Sequence, residues 1–206
     1  LPVVGGNVSL YNESGGADID PTPVVGIFGV IDKLDKAPAE AGLTDGAAIV
    51  LIGHTQAVLG GSRWAVESRG HRGGMLPSLD LETHARLLGL VVGLIGEGVV
   101  EGIHDVSDGG LALALAEMAI RSGVGFRISG PADPAELFCE SPSRVVVCSR
   151  GPEQVASKSA DAGLPAKVLG MAGGDRLWVE GLVDLSLADA GAAWRDDIPR
   201  RMDVSA

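Results

Sequence analysis

The chain contains one short segment in which several chemically active side chains lie close together. Residues 104–110 read HDVSDGG and supply an imidazole, two carboxylates, a hydroxyl and two glycines. They run directly into residues 111–119, LALALAEMA, whose alanines and leucines are strong helix formers. Glycine permits close backbone approach and left-handed conformations. The pattern therefore predicts a loop that leads into the N-terminus of a helix.

Such a loop is suited to binding magnesium and a polyphosphate. The first N–H groups of a helix lack partners within the helix and carry partial positive charge, which suits a phosphate group. Asp105 or Asp108 offers the carboxylate oxygens that Mg²⁺ prefers. A simpler interpretation is an N-cap at Ser107 or Asp108, a glycine turn and a hydrogen-bonded His104. The motif alone favours this second interpretation.

Composition narrows the class of protein. The chain has 206 residues, enough for one sizeable core or two small ones, with 46% hydrophobic and only 3% aromatic residues. Its core must therefore be built from aliphatic side chains, as in α/β-type proteins. The formal net charge is −11 and no basic cluster interrupts it, which argues against a nucleic-acid or anionic-membrane surface.

Cysteine usage and the start of the chain bear on its location. Cys139 and Cys148 are too few and too far apart for a disulfide framework or a CxxC metal site, so we expect a reducing, cytoplasmic environment and two buried small side chains. The sequence shows no signal-peptide pattern and no unbroken apolar run of membrane length. It begins at Leu1 and enters an apolar segment at once, so we expect that it was cut from a longer polypeptide.

The first part of the chain has the pattern of two strands around a polar loop. Residues 2–9 and 24–31 contain many β-branched side chains, and residues 11–18 between them are polar. Two strands do not form a stable domain by themselves. We therefore expect residues 1–33 to be the last strands of a truncated α+β domain, followed by a polar linker within residues 32–45.

The remaining residues, 34–206, mix strand and helix patterns irregularly. Strands are predicted near residues 47–53, 124–128, 145–148, 166–171 and 176–179. Helices are predicted near residues 81–98, 109–122, 152–163 and 185–202. Residues 99–103 are predicted as a connection and residues 173–175, GGD, as a hairpin turn. The long helix has apolar residues on more than one face, including Leu88 and Val92, so we expect it to be largely buried. The irregular order favours a mixed sheet covered by helices.

Several motifs, taken in order, resemble a known family. They are GGNVSLYNE at residues 5–13, PTPVVG at 21–26, LGGS at 59–62, HDVSDGG at 104–110, FCES at 138–141 with Arg144, GGD at 173–175 and AWR at 193–195. This set is similar to the C-terminal third of the small-type phosphoribosylformylglycinamidine synthases, in the aminoimidazole ribonucleotide synthetase superfamily. The resemblance covers essentially the whole chain, and its strength lies in the ordered set of motifs.

The resemblance implies a fold and an activity. The fold is α+β, with residues 34–206 forming an α/β/α layered mixed sheet of the superfamily's C-terminal type. The family's reaction converts formylglycinamide ribonucleotide, ATP and glutamine-derived ammonia into formylglycinamidine ribonucleotide, ADP and phosphate. It implies Mg²⁺ and ATP or ADP as cofactors, and a glutaminase subunit and a small bridging subunit as partners.

The resemblance also implies roles for single residues. Gly6 would contact ATP, Asn7 would bind magnesium and Ser9 would contact the substrate. Asp105 and Ser107 match magnesium and nucleotide ligands of a second, structural nucleotide site. Without the resemblance, residues 5–7 would be read as an ordinary turn. The family's catalytic histidine lies in its earlier half, so we expect no catalytic residue in these 206 residues and no activity of the chain alone.

Two alternatives remain open. Another superfamily member, such as an aminoimidazole ribonucleotide synthetase or a selenophosphate synthetase, would share the fold, but residues 6–13 fit those enzymes poorly. A non-catalytic domain that docks the glutaminase partner would share the fold without nucleotide chemistry. Loss of magnesium-dependent nucleotide binding on substitution of Asp105, without unfolding, distinguishes a ligand site from a docking module.

Overall fold

The computed structural model describes residues 1–9, 12–30 and 39–203. The chain divides into two compact units, Leu1–Asp35 and Lys36–Ala206, which are treated separately below. The expected boundary between residues 33 and 34 lies outside the described residues, as does most of the expected linker.

The described residues of the first unit form one short hairpin. Strand β1 (Glu13–Ser14) pairs with β2 (Ala17–Asp18) through Gly15 and Gly16, whose φ angles of 61° and 80° suit a tight two-residue turn. The expectation of strands over residues 2–9 and 24–31 is wrong for the described residues 2–9 and 24–30, which form no strand. A strand needs a hydrogen-bonded neighbour, and the described residues of this unit provide one only for the hairpin.

The second unit contains a seven-stranded mixed sheet. Its strands are β3 (Ala48–Ile52), β4 (Gly102–Asp105), β5 (Phe126–Ile128), β6 (Val145–Ser149), β7 (Ala166–Ala172), β8 (Arg176–Val179) and β9 (Val183–Ser186). Their order is β4-β6-β3-β7-β5-β8-β9, and all neighbours are antiparallel except β5 and β8. The mixed sheet predicted from the irregular order of elements is confirmed.

Six helices accompany the sheet. They are α1 (Arg63–Arg69), α2 (Leu81–Glu97), α3 (Gly110–Ser122), α4 (Pro134–Phe138), α5 (Pro152–Asp161) and α6 (Leu187–Asp203). Local sequence signals determine where several of these helices begin and end. The Asp80 carboxylate accepts a hydrogen bond from the Glu82 N–H at the start of α2, and Gly98 ends that helix with a left-handed φ of 70°.

The helices cover both faces of the sheet. Every residue of β3 and β6 is buried, because alternate side chains point into two different cores. One core joins Ile49 and Val146 to α3, and the other joins Val50 and Val147 to α2 and α5. This three-layered arrangement confirms the predicted α/β/α fold.

Three local predictions need correction. Residues 173–175 do not close a hairpin, because β5 lies between β7 and β8 and the Gly173 N–H donates to the Gly125 carbonyl at its start. Strand β4 forms an edge of the sheet where a connection was expected, and β9 was not expected at all. In α2, Leu88 and Val92 are exposed, since the helix contacts the core through the buried Leu87, Leu90 and Leu94 and the partly buried Val91 and Ile95.

Two further observations concern membranes and thiols. Among the described residues, no helix has the length and apolar character needed to cross a membrane. Cys139 and Cys148 are free and buried, as predicted. Burial also raises the pKa of the Cys148 thiol, which keeps it protonated and unreactive.

A buried arginine holds the loop between α4 and β6. The Arg144 side chain donates to the Cys139 carbonyl at 2.6 Å, to the Ser141 carbonyl at 3.3 Å and to the Thr55 hydroxyl at 3.3 Å. Burial lowers the pKa of this guanidinium, because the charged form loses solvation. We call residues 139–144 the 139–144 loop. The conformation of the 139–144 loop depends on the hydrogen bonds that the Arg144 side chain donates to these acceptors.

The same loop is fixed to its neighbours by short polar contacts. The Ser141 hydroxyl accepts from the Gln56 N–H and donates to the Gln56 carbonyl, each at 2.8 Å. Ser143 adopts a φ of 59°, and its hydroxyl lies 3.0 Å from Nδ1 of His84 on α2. These contacts tie the loop to the end of β3 and to α2.

We expect Arg144→Lys to lower the free energy of unfolding by about 2–4 kcal/mol, because one ammonium group cannot satisfy three separated acceptors. Urea unfolding followed by circular dichroism measures the change. Arg121→Lys, at an exposed position, is the matched control and should change stability by less than about 0.5 kcal/mol. Equal effects of the two substitutions would show that the buried hydrogen bonds contribute nothing.

We expect Gly110→Ala to destabilise the chain by about 2–4 kcal/mol. Its φ is 66°, and an added Cβ would lie 2.5 Å from the Cys139 carbonyl oxygen and 2.8 Å from the Phe138 carbonyl carbon. Gly89→Ala, at an open helical position of α2, should instead stabilise by about 0.5–1 kcal/mol. The same urea titration tests both, and a neutral Gly110→Ala variant would contradict the close approach described here.

Candidate functional site

The HDVSDGG segment lies between an edge strand and a core helix. His104 and Asp105 end β4, residues 106–109 form a loop, and Gly110 begins α3. Val106 is buried beneath the loop, whereas Asp105, Ser107 and Asp108 are exposed. Burial of one apolar side chain thus anchors the loop and leaves its polar side chains accessible.

Asp105 and Ser107 form a local pair. The Ser107 hydroxyl donates to the Asp105 carboxylate through Oδ2, and the Asp105 side chain is 72% exposed. The structure thus brings together the two residues to which the resemblance assigns magnesium and nucleotide contacts. Whether they act as ligands stays a prediction.

The start of α3 confirms the loop that leads into a helix N-terminus but differs from the N-cap interpretation of the motif. Its N-cap residue is Gly109, with a left-handed φ of 74° and no side-chain cap, so Ser107 and Asp108 are not the cap. The Gly109 N–H donates instead to the Glu140 carboxylate at 2.8 Å, and the Gly110 N–H donates to the Ser107 carbonyl at 2.9 Å. A phosphate bound to these two amides would therefore have to replace partners that the protein already provides.

Glu140 serves two helices at once. The same carboxylate oxygen that accepts from Gly109 also accepts from the Arg63 N–H at 2.7 Å, at the start of α1. A carboxylate is stabilised at a helix N-terminus by the partial positive charge there. Glu140 therefore occupies the position in which an external anion was expected.

A cleft of about 710 Å³ opens beside Asp105 and Ser107. Its apolar wall includes Leu87, Leu88, Val91, Ile95 and Ile103, and its polar rim includes Asp105, Ser107, Asp108, Glu140 and Ser143. This volume is within the range of about 300–1,000 Å³ for small-molecule sites. Three carboxylates line the cleft together with the Arg144 guanidinium, so the lining offers an opposite charge both to a cation and to an anion that is bound to a cation.

The donor set is compatible with magnesium that is shared with a ligand. Among the described residues, no group of three or more His, Cys, Asp or Glu side chains is arranged to enclose a metal. Mg²⁺ commonly takes only one or two carboxylates and completes its shell with water and substrate phosphates. An exposed Asp105 fits that mode of binding, in which its carboxylate would hold the metal and the metal would supply charge neutralisation to a phosphate.

The other predicted site residues lie in the first unit. The Asn7 side-chain amide donates to the Ser9 hydroxyl at 3.3 Å, and both residues are exposed. An added Cβ at Gly6 would meet no described atom within 4 Å. Packing among the described residues therefore gives no reason for glycine at position 6, and close approach of a nucleotide remains the prediction for it.

Two residues near the motif were missed by the sequence analysis. Glu117 lies on α3 with Oε2 at 3.0 Å from His104 Nε2, and Glu140 caps two helices as described above. Glu117 had a weak signal, because it is the only acid in an otherwise apolar helical run. Glu140 belonged to a quoted motif, but its spacing of 31 residues from Gly109 gave no indication of contact.

Solved structures support the fold. The protein described as T. maritima PurL complexed with FGAR has a TM-score of 0.63 and 17% identity, over 75% of this chain and 29% of that chain. T. maritima PurL complexed with ATP has a TM-score of 0.58 and 16% identity, over 75% of this chain and 27% of that one. At this identity the likeness concerns the fold alone.

Sequence comparison identifies the family. A phosphoribosylformylglycinamidine synthase subunit PurL from a Nocardioides species is 43% identical over 202 residues, covering 97% of this chain. The chain spans only about 27% of that relative's length. The family model for the AIR synthase related protein, C-terminal domain, matches residues 44–179, nearly the whole sheet described above. The chain therefore belongs to the family of AIR synthase related proteins, of which it carries the C-terminal domain.

Proposed function

We propose that the chain forms part of an ATP-dependent ligase of purine biosynthesis, a phosphoribosylformylglycinamidine synthase. The reaction would convert formylglycinamide ribonucleotide, ATP and glutamine-derived ammonia into formylglycinamidine ribonucleotide, ADP and phosphate. The observation that carries the proposal is the 43% identity over 97% of this chain to a relative of that name. The ordered motifs from residue 5 to residue 195 agree with it.

The chemistry requires activation of an amide oxygen. Transfer of the ATP γ-phosphoryl group to this oxygen turns a poor leaving group into a good one before ammonia attacks. Magnesium supplies charge neutralisation on the phosphoryl oxygens when it is bound. The chain's own contribution is to hold oxygen ligands and hydroxyl groups in place, and it contains no residue to which we assign a covalent or proton-transfer step.

We assign these contributions to two groups of residues. Asn7 would bind magnesium through its amide oxygen, Gly6 would allow ATP to approach the backbone, and Ser9 would contact the ribonucleotide substrate. The hydrogen bond between Asn7 and Ser9 supports a shared position for metal and substrate within this unit.

In the second unit, Asp105 and Ser107 would bind magnesium and nucleotide at a separate, structural site. Their direct contact and their place on the rim of the cleft support this role. The cleft's apolar wall suits the uncharged part of a nucleotide, and its acidic rim suits the metal that accompanies the phosphates.

The domain organisation and the setting follow from the same proposal. Residues 1–33 would belong with an α+β domain of N-terminal type, and residues 34–206 would be the C-terminal-type domain. The partners would be a glutaminase subunit and a small bridging subunit, and the enzyme would act in the cytoplasm. The separation of the chain into two compact units supports this organisation.

A docking domain without nucleotide chemistry is the second candidate. It is favoured by the exposure of Leu88 and Val92 on α2, which leaves apolar surface open to solvent. The nucleotide-binding experiment that follows separates the two candidates, because a docking domain would bind its partner whatever residue occupies position 105.

For the second-unit site, we expect Asp105→Asn to weaken magnesium-dependent binding of ADP by about 10- to 100-fold, because a neutral amide replaces a charged metal ligand. Titration calorimetry of the full polypeptide with ADP, with and without Mg²⁺, measures this. Asp161→Asn removes the same charge at the exposed end of α5 and should leave affinity unchanged. Equal affinities of the two variants would overturn the site.

For the first-unit site, we expect Ser9→Ala to raise KM for formylglycinamide ribonucleotide by about tenfold, since one hydrogen bond to a charged or strongly polar group contributes about 1.5–3 kcal/mol. Steady-state kinetics of the complete enzyme with its glutaminase partner gives the value. Ser14→Ala, in the exposed hairpin, is the control. An unchanged KM in Ser9→Ala would remove Ser9 from the substrate site.

A further inference from the structure

His104 is placed differently from its neighbour in the motif. Because successive side chains of a strand point to opposite faces, the His104 side chain is only 16% exposed while that of Asp105 is 72% exposed. The imidazole therefore lies beneath the rim of the cleft, on the protein side of the carboxylate that the proposed function assigns to magnesium.

One ring nitrogen of His104 faces Asp105. Nδ1 lies 2.7 Å from the Asp105 carbonyl oxygen and 3.4 Å from Oδ1 of the same residue. A carbonyl oxygen can only accept, so this contact is a hydrogen bond when Nδ1 carries a proton. This contact fixes the peptide that follows Asp105, at the point where β4 ends and the loop begins.

The other ring nitrogen faces α3. Nε2 lies 3.0 Å from Glu117 Oε2, and the Glu117 side chain is 24% exposed. Glu117 lies two turns into the helix, so the imidazole connects the end of β4 with the body of α3. The loop of residues 106–109 is thereby held from both of its ends.

We propose that His104 is a positioning residue that orients Asp105 toward bound magnesium nucleotide, and that Glu117 holds His104 in place. The inference rests on the proposed role of Asp105 as a magnesium ligand and goes beyond it. The Ser107 hydroxyl restricts the Asp105 carboxylate at Oδ2, and the imidazole fixes the Asp105 main chain at its carbonyl and lies 3.4 Å from Oδ1. A ligand held in advance loses less conformational freedom when it binds the metal, which raises affinity.

Asparagine and glutamine are the two amide side chains closest in shape to histidine. Substituting each of them for His104 tests its two contacts separately. The amide nitrogen of asparagine lies near the position of Nδ1, and that of glutamine near the position of Nε2. His104→Asn thus retains the donor to Asp105 and loses the contact with Glu117. His104→Gln retains the contact with Glu117 and loses the donor to Asp105.

The test measures two binding reactions of the full polypeptide. Calorimetry gives the affinity for ADP in the presence of Mg²⁺, and electron paramagnetic resonance counts Mn²⁺ bound with ADP. We expect His104→Gln to weaken ADP binding about tenfold and to lower Mn²⁺ occupancy. His104→Asn should stay within about threefold of the parent, although it loses one helix contact. His71→Gln, at an exposed histidine, should match the parent.

Urea unfolding of each variant separates positioning from stability. The proposal is overturned if His104→Asn and His104→Gln both retain the parent's affinity, or if both lose affinity in proportion to their lost stability. In either case a weakened Asp105→Asn variant would leave the proposed site standing. If the parent and Asp105→Asn show the same affinity, the proposed site itself fails, and the positioning role fails with it.

Discussion

The candidate site depends on the buried guanidinium of Arg144, which has no carboxylate partner among the residues that the structure describes. The Arg144 guanidinium donates to two main-chain carbonyls and one hydroxyl. Arg144 and Ser141 both line the cleft. Burying a guanidinium is unfavourable unless its hydrogen bonds are made. The arginine and the 139–144 loop therefore require each other, because either without its partner would leave polar groups unpaired in the interior.

The 139–144 loop in turn fixes the positions of the surrounding elements through hydrogen bonds. It places Glu140 at the starts of α1 and α3 and Ser141 against Gln56 in the segment that follows β3, so three separate parts of the chain meet at one short segment. Glu140 accepts from the Gly109 N–H at the start of α3, while Asp105 and Ser107 remain exposed on the rim of the cleft.

The elements that sequence patterns predicted well are those with local causes. Helix α2 was placed to within one residue because Asp80 and Gly98 mark its ends, and β3 was recognisable as an aliphatic run. Burial within α2 was predicted less well, since apolar periodicity does not say how much of a helix its neighbours can cover. Leu88 and Val92 remained exposed for that reason. The order of strands in the sheet could not be predicted from local patterns either. Residues 173–175, GGD, suggested a hairpin, but β5 lies between β7 and β8, the two strands that these residues connect. The contact of Glu140 with Gly109 arises only once the pairing of β4 with β6 brings distant segments together, and that of His104 with Glu117 only once α3 folds back beside the end of β4.

The pairing of β3 has a consequence for how the chain reaches this structure. Its two neighbours, β6 and β7, follow about one hundred residues or more later in the sequence, and every residue of β3 is apolar and ends buried. During synthesis β3 therefore remains without its neighbouring strands until residues 145–172 have been added to the chain. Non-local pairing of this kind slows folding and leaves a β-prone segment open to association with other chains. Helix α2 follows β3 by about thirty residues, and its Leu87, Leu90 and Leu94 share a core with Val50 and Ile52, so it is an element near in sequence that can cover one face of the strand before β6 and β7 are available.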